Sequence, residues 1–225
     1  MSSPTHEAVL AAAHEMLDKG LVAGTAGNVS GRLPDGSVVM TPSSVAYETM
    51  TVDDLVVVDL DGKVVDGERG PTSEKALHLS CYRTYDEVGG VIHCHATYAS
   101  MFALVRRPIP AVIEEFVVYV GGDVPIAAYK PTGSDELADE IATHLTDRSC
   151  ALMANHGLLA IGRDTGDALH TALSVEHNAR IIWGAKALGE PVPIPDKNTQ
   201  DFTGVYQYVR GNTWSTWSDQ PNVEN

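Results

Sequence analysis

Apolar residues recur at helical spacing between Thr5 and about Lys19, at Val9, Ala12, Ala13, Met16 and Leu17, so the chain is expected to open with a core-facing helix closed by Gly20. Two short apolar runs, Val38-Val39-Met40 and Leu55 to Asp59, read as strands. The second turns through Asp61-Gly62 into Val64-Val65, the pattern of a hairpin. Leu77, Cys81 and Tyr85, spaced by four, predict a helix capped by Thr72 or Ser73, with Glu74 in its first turn. The β-branched run in Gly89-Gly90-Val91-Ile92-His93-Cys94-His95-Ala96 favours a strand. A short helix near Tyr98 to Val105, a strand over Val124 to Tyr129, and a helix capped by Ser134 with Leu137, Ile141 and Leu145 on one face follow. Between Cys150 and Gly162, His156 interrupts two apolar strand-like stretches, and the glycine after it permits an irregular backbone. Asp164 or Thr165 then caps a long helix running to about Leu188, closed by Gly189 and Pro191. The tail carries Tyr206, Tyr208, Trp214 and Trp217 among polar residues, and is expected to be mobile or to fold over a neighbour.

This mixture supports an α/β or α+β arrangement and no more. No linker, repeat or composition break divides the chain, and 225 residues suffice for one domain, 1–225, with a substantial core. Thirty acidic residues oppose fifteen basic ones, a formal charge of -15, and no Lys/Arg cluster offers a footprint for nucleic acid. A small phosphorylated metabolite stays compatible with that charge, because a cation and a few backbone N–H groups can bind phosphate. The three cysteines, Cys81, Cys94 and Cys150, form no C-x-x-C and leave an odd one over, which points to a reducing compartment. Residues Met1 to Glu7 lack the basic and apolar blocks of a signal peptide, and no run approaches the ~18 apolar residues of a membrane span. A cytoplasmic protein with no membrane partner is expected.

The chemistry concentrates at a few positions. On a strand, His93 and His95 project to one face from Cα atoms about 6.6 Å apart, so two imidazoles can converge on one ion, while Cys94 faces away. Zinc takes such nitrogens at about 2.0 to 2.1 Å in a tetrahedral shell. Taken singly, each feature has a plainer explanation. An isolated His-x-His serves equally as a polar patch, and a lone histidine such as His156 is usually a hydrogen-bonded core residue. An acidic residue at a helix start, such as Glu74, gains roughly 0.3 to 1 kcal/mol from the helix dipole whatever the function. The adjacent Glu114 and Glu115 read as a solvated helix end, and His170 and His177, a heptad apart, as surface or subunit-contact residues. The stretch Gly24-Thr25-Ala26-Gly27-Asn28-Val29-Ser30-Gly31 reads as a turn between elements, although its small residues allow close backbone approach to a ligand and Thr25 and Asn28 offer side-chain donors; it lacks the lysine and the spacing of a Walker A loop.

Together, five motifs in order resemble the class II aldolase family: Gly24-Thr25-Ala26-Gly27-Asn28, Thr41-Pro42-Ser43-Ser44, Pro71-Thr72-Ser73-Glu74, His93-Cys94-His95 and Asn155-His156-Gly157. The resemblance covers nearly the whole chain, from Gly20 to the end of the long helix. It implies a three-layer α/β/α sandwich on a mixed, mostly antiparallel sheet, assembled as a homotetramer with sites at subunit contacts. By it, His93, His95 and His156 bind a divalent ion, Zn²⁺ being expected, and Glu74 is the acid/base that also ligates the ion when no substrate is present. Thr25, Asn28, Ser43, Ser44, Thr72 and Ser73 match positions that hold the substrate phosphate.

The implied reaction is reversible cleavage of a ketose 1-phosphate, of the L-fuculose 1-phosphate or 5-deoxyribulose 1-phosphate type, into dihydroxyacetone phosphate and an aldehyde. Two departures concern the aldehyde half. The family's tyrosine proton donor falls on or beside Glu115, leaving Glu115, Tyr119 or a tail tyrosine, Tyr206 or Tyr208, as candidates, and Ser44 stands where a family aldolase has glycine. Alternatives on the same site are 4-epimerisation of L-ribulose 5-phosphate, for which the family uses aspartate where Glu74 stands, and dehydration of a ribulose 1-phosphate. A hydrolase using zinc-bound water needs only the same histidines. From a different class, an adducin-head-like assembly module would be expected to have lost the ligands, and all three histidines and Glu74 are present.

Overall fold

The computed structural model describes residues 3–214. Eight strands form one sheet: β1 (Asn28–Arg32), β2 (Val38–Met40), β3 (Val56–Val58), β4 (Val64–Asp66), β5 (Gly90–Cys94), β6 (Ile126–Ala127), β7 (Cys150–Met153) and β8 (Gly157–Gly162), in the order β4-β3-β2-β1-β5-β8-β7-β6. Every neighbouring pair is antiparallel except β6 with β7. Among the described residues seven α-helices accompany it: α1 (Pro4–Asp18), α2 (Lys75–Thr84), α3 (Thr97–Leu104), α4 (Glu114–Val120), α5 (Asp135–Ala142), α6 (Thr165–Ala185) and α7 (Asp196–Thr213).

The layers follow from the period-2 alternation of the strands. Val39, Val57, Ile92, Cys94, Leu152, Leu158 and Ala160 face one core with the apolar stripes of α1, α3, α4 and α6. Val38, Val56, Val91, Ala151, Met153, Leu159 and Ile161 face the other with α2 and α5. Both faces of the central strands are covered, which is why they read as continuous apolar runs. The expected three-layer α/β/α sandwich on a mixed, mostly antiparallel sheet is what forms.

Several boundaries differ from the sequence expectation. The stretch around Asn28-Val29-Ser30-Gly31, read as a turn, is the fully buried central strand β1. Its polar side chains hide the strand pattern because their partners come from α2 rather than from water. The run Val124 to Tyr129 pairs only at Ile126–Ala127, since Pro125 has no N–H to give a ladder, and Val124 instead bridges Ile109. Helix α2 begins at Lys75 with Glu74 at its N-cap, so Thr72 and Ser73 lie before the cap. The long helix stops at Ala185. The tail is anchored: α7 buries Tyr206 and Arg210, and Arg210 pairs with Glu87 at 2.9 Å and donates to the Leu145 and Arg148 carbonyls. Trp217 lies outside the described residues. Among those described, no helix is long and apolar enough to cross a membrane.

Candidate metal centre and active site

His93 is the penultimate residue of the fully buried strand β5, on the face covered by α2, and His95 follows just past the strand end. The β7–β8 turn carries His156 to the same point. That turn is tight for two separate reasons. Asn155 takes the left-handed backbone (φ 58°), held by its N–H to the Ala103 carbonyl and by Arg106, whose guanidinium donates twice to its Oδ1 at 3.0 and 3.2 Å. Gly157 is needed for space instead: a Cβ there would stand 2.5 Å from the Cys94 carbonyl oxygen and 2.9 Å from His95 Cδ2. The expectation that Gly157 serves an irregular backbone is thus corrected, because the irregular residue is Asn155.

The three rings meet, with centroids 4.8 Å (His93–His95), 4.6 Å (His93–His156) and 5.2 Å (His95–His156) apart. Their nearest nitrogens all lie within 4.8 Å of one another. His93 is fully buried, whereas His95 and His156 reach solvent. Glu74, at the N-cap of α2, lays its carboxylate across the cluster, with Oε2 3.2 Å from His93 Nε2 and Oε1 3.4 Å from His156 Nε2. Its side chain therefore serves no helix-capping hydrogen bond, and the plainer dipole explanation does not account for its burial.

The donor set fits a cation. His93 Nδ1 faces the Leu158 carbonyl at 3.0 Å, and the hydrogen there leaves Nε2 with a lone pair. That lone pair faces the Glu74 carboxylate at 3.2 Å, so two acceptors confront one another at a point that calls for positive charge, with His95 Nε2 3.1 Å away. Tetrahedral nitrogens around zinc stand about 3.3 Å apart, close to this spacing. Glu74 Oε1 and His156 Nδ1 are buried and have no hydrogen-bond partner. Burial pushes the Glu74 carboxyl up, but its contacts with His93, the Asn28 amide and His156 outweigh it and hold the group well below the usual carboxylate range. Burial, then His93, lowers His156 to about 4 despite the opposing carboxylate, and the same two causes lower His95. Neutral imidazoles at His95 and His156 beside an ionised carboxylate are protonation states that suit metal binding.

A family model for the class II aldolase and adducin N-terminal domain matches residues 7–183. The chain belongs to this family. The class II aldolase domain is 33% identical over 202 residues to a 5-deoxy-D-ribulose 1-phosphate aldolase of Bacillus thuringiensis serovar kurstaki, covering 89% of this chain and 94% of the relative. It is 38% identical over 192 residues to an L-ribulose-5-phosphate 4-epimerase of Salmonella paratyphi B, covering 79% and 83% of the two chains. A solved L-fuculose 1-phosphate aldolase superposes with a TM-score of 0.87 at 34% identity, over 92% of this chain and 98% of that one.

In this class II aldolase domain, the loops at Thr41–Ser44 and Gly70–Glu74 are stitched together: Pro42 bridges Pro71, Thr72 N–H donates to the Thr41 carbonyl, and Ser43 N–H to the Gly70 carbonyl. Thr25, Ser43, Ser44 and Ser73 are exposed. Asn28 and Thr72 are buried and partly engaged, Thr72 Oγ1 accepting from the Glu74 N–H at 3.2 Å and Asn28 Nδ2 donating to Glu74 Oε2 at 3.0 Å. Ser44 adopts φ 60°, the left-handed region that glycine enters freely.

Glu115 and Tyr119 belong to a different groove. They sit on α4, exposed, where Tyr119 meets the His170 ring edge-on at a centroid distance of 4.6 Å, with His177 also in the lining. Tyr206 is corrected as a proton-donor candidate: its hydroxyl is buried against Ser149 at 2.7 Å and Arg210. Tyr208 stays exposed.

The residues the sequence reading passed over are His78, Ser30 and Tyr82. Their signal is the spacing Glu74, His78, Tyr82 by fours along one helix face, set against Asn28 and Ser30 spaced by two on a strand.

Proposed function

We propose that the chain is a divalent-metal-dependent aldolase that reversibly cleaves a ketose 1-phosphate, of the L-fuculose 1-phosphate or 5-deoxyribulose 1-phosphate type, into dihydroxyacetone phosphate and an aldehyde. The observation that carries this reading is the convergence of three imidazoles with one buried carboxylate. His93, His95 and His156 would hold the ion, and a nitrogen-rich set with one carboxylate suits Zn²⁺. The ion, when bound, supplies Lewis acidity to the oxygens of the ketose.

The chain's own groups divide the remaining work. Thr25, Ser43, Ser44 and Ser73 offer hydroxyl donors to the phosphate, and Thr72 and Asn28 border the same place, Asn28 with a second amide hydrogen to give. In the cleavage direction the hydroxyl on the departing carbon gives up its proton and the carbon–carbon bond breaks. Glu74, ionised at rest, takes up a proton from solvent and delivers it to the carbon that becomes the hydroxymethyl group of dihydroxyacetone phosphate, while the proton lost by the hydroxyl is returned to solvent, so both groups end as they began. One substrate gives two products with no change of oxidation state. Glu115 or Tyr119, lying away from the histidines of its own chain, would take the hydroxyl proton from across a subunit contact, which fits a homotetramer working in the cytoplasm.

A second reading is favoured by the 38% identity to the 4-epimerase: cleavage and recombination of L-ribulose 5-phosphate within one site. Dehydration of a ribulose 1-phosphate would use the same groups. Metal quantification with a coupled assay for dihydroxyacetone phosphate tests the aldolase. Failure to release it from any ketose 1-phosphate, alongside inversion of L-ribulose 5-phosphate followed by NMR, would give the site to the epimerase.

A further inference from the structure

Behind Glu74 and Asn28 runs a chain of buried polar side chains, of which His78, Ser30 and Tyr82 have no part in the reaction as described. Asn28 Nδ2 donates to Glu74 Oε2 at 3.0 Å, and Asn28 Oδ1 lies 2.5 Å from His78 Nε2. His78 Nδ1 is 2.6 Å from Ser30 Oγ, which is 2.8 Å from the Tyr82 hydroxyl. All five side chains are buried, His78 and Ser30 completely. Backbone pairing sets the register: Asn28 stands opposite His93 and Ser30 opposite Val91 on the antiparallel β1–β5 pair, so both face α2.

The carboxylate fixes the direction of every hydrogen bond. An ionised carboxylate only accepts, so the Asn28 NH₂ must point to Glu74 and its Oδ1 to His78. His78 must then donate from Nε2, leaving Nδ1 to accept from the Ser30 hydroxyl. Ser30 in turn accepts from Tyr82. With the other tautomer, the Asn28 amide would turn its oxygen to the carboxylate, and two acceptors would face each other in a buried site where such repulsion is poorly screened.

We propose that His78 is a positioning residue for the Glu74 carboxylate: its Nε2–H holds the Asn28 amide in the one orientation that anchors Oε2 and leaves Oε1 turned toward the histidine cluster with no hydrogen bond of its own. The proposal rests on the reading of Glu74 as the acid/base. His78 touches neither substrate nor ion and acts only through Asn28. Its imidazole is unsuited to serve as a ligand itself, since both ring nitrogens are engaged.

The test combines wild-type spectroscopy with three substitutions. In ¹⁵N-histidine NMR of the wild-type protein, His78 should be the neutral Nε2–H tautomer; an Nδ1–H tautomer overturns the proposal without any mutant being needed. Among substitutions, the glutamine amide of His78→Gln can replace the Nε2–H, whereas the shorter side chain of His78→Asn reaches only to Ser30, and His78→Leu does neither. With the ketose phosphate that the wild type turns over, His78→Asn and His78→Leu should lose about 10- to 100-fold in kcat, with KM and metal content little changed. His78→Gln should recover most of that loss. Equal damage in all three, or normal kcat per bound ion in the less stable variants, overturns it.

Glu74→Gln separates the two claims. Full turnover by that variant removes the catalytic reading itself, and the tautomer then judges the geometry alone. If Glu74→Gln is inactive while His78→Leu keeps wild-type kcat, only the positioning role falls.

Discussion

Gly157 lies so close to Cys94 that a Cβ on the former would stand 2.5 Å from the carbonyl oxygen of the latter, and 3.3 Å from His93 Cε1. The turn bearing His156 can approach the His93 strand only because that position has no side chain. Gly157→Ala must therefore push β8 away from the cluster. Overpacking of this kind costs about 1 to 3 kcal/mol, so a thermal midpoint lower by roughly 2 to 12 °C is expected, with weaker metal binding. Calorimetry with metal titration checks both, and an unchanged midpoint would show that the backbone yields without strain.

Removing a proposed ligand and removing the proposed acid/base should have separable effects. His95→Ala is expected to strip most of the metal. Glu74→Gln keeps a side chain of the same shape and should retain metal while losing on the order of 10²- to 10⁴-fold in turnover. Elemental analysis beside the dihydroxyacetone phosphate assay reads the two quantities independently. Full activity of Glu74→Gln would remove Glu74 from proton transfer.

Ser44 carries a backbone strain that its glycine variant should release. The left-handed conformation costs a non-glycine residue about 1 to 2 kcal/mol, against about 0.5 to 1 kcal/mol for the extra freedom of glycine in the unfolded chain. Ser44→Gly is thus expected to be neutral or to stabilise by up to about 1.5 kcal/mol, while Ser44→Val, whose β-branch is ill suited to φ 60°, should destabilise. Urea denaturation orders the three proteins, and a valine variant as stable as wild type contradicts the strain.

Acid should weaken the fold through His78. Burial, then the charge of His93, lowers its pKa to about 3 although Glu74 opposes the shift, whereas an unfolded histidine titrates near 6.5. Between those values the unfolded chain binds the extra proton, so stability rises with pH across the window and is progressively lost on acidification below about 6.5. One such imidazole contributes a slope of at most about 1.4 kcal/mol per pH unit. Urea midpoints from pH 4 to 7 should be flatter for His78→Gln than for wild type, and equal slopes would argue that His78 is not the group responsible.

The layers and most elements were legible because apolar runs such as Cys150 to Met153 announce strands buried on both faces, and because Ser134 and Asp164 cap their helices with side-chain acceptors as their residue types suggest. The three histidines were legible as a set only through motif order, since spacing links His93 to His95 but says nothing of His156. What stayed hidden was polar. β1 carries Asn28, Ser30 and Arg32 inward, a pattern that mimics a loop until α2 supplies its partners. The anchoring of α7 depends on Arg210 reaching Glu87, a contact 123 positions apart along the chain that no local pattern encodes.

The alternation of α2 and β1 side chains behind Glu74 meshes two repeat lengths that nearly agree. Four helical residues advance about 6.0 Å and two strand residues about 6.6 Å. Such gearing tolerates exchange of individual teeth but not a change in their number. Deleting one residue between Glu74 and Tyr82 would swing everything beyond it by about 100° around the helix and unmesh every contact at once. The length of that segment is thereby as much a determinant of where the carboxylate sits as the chemistry of any side chain on it.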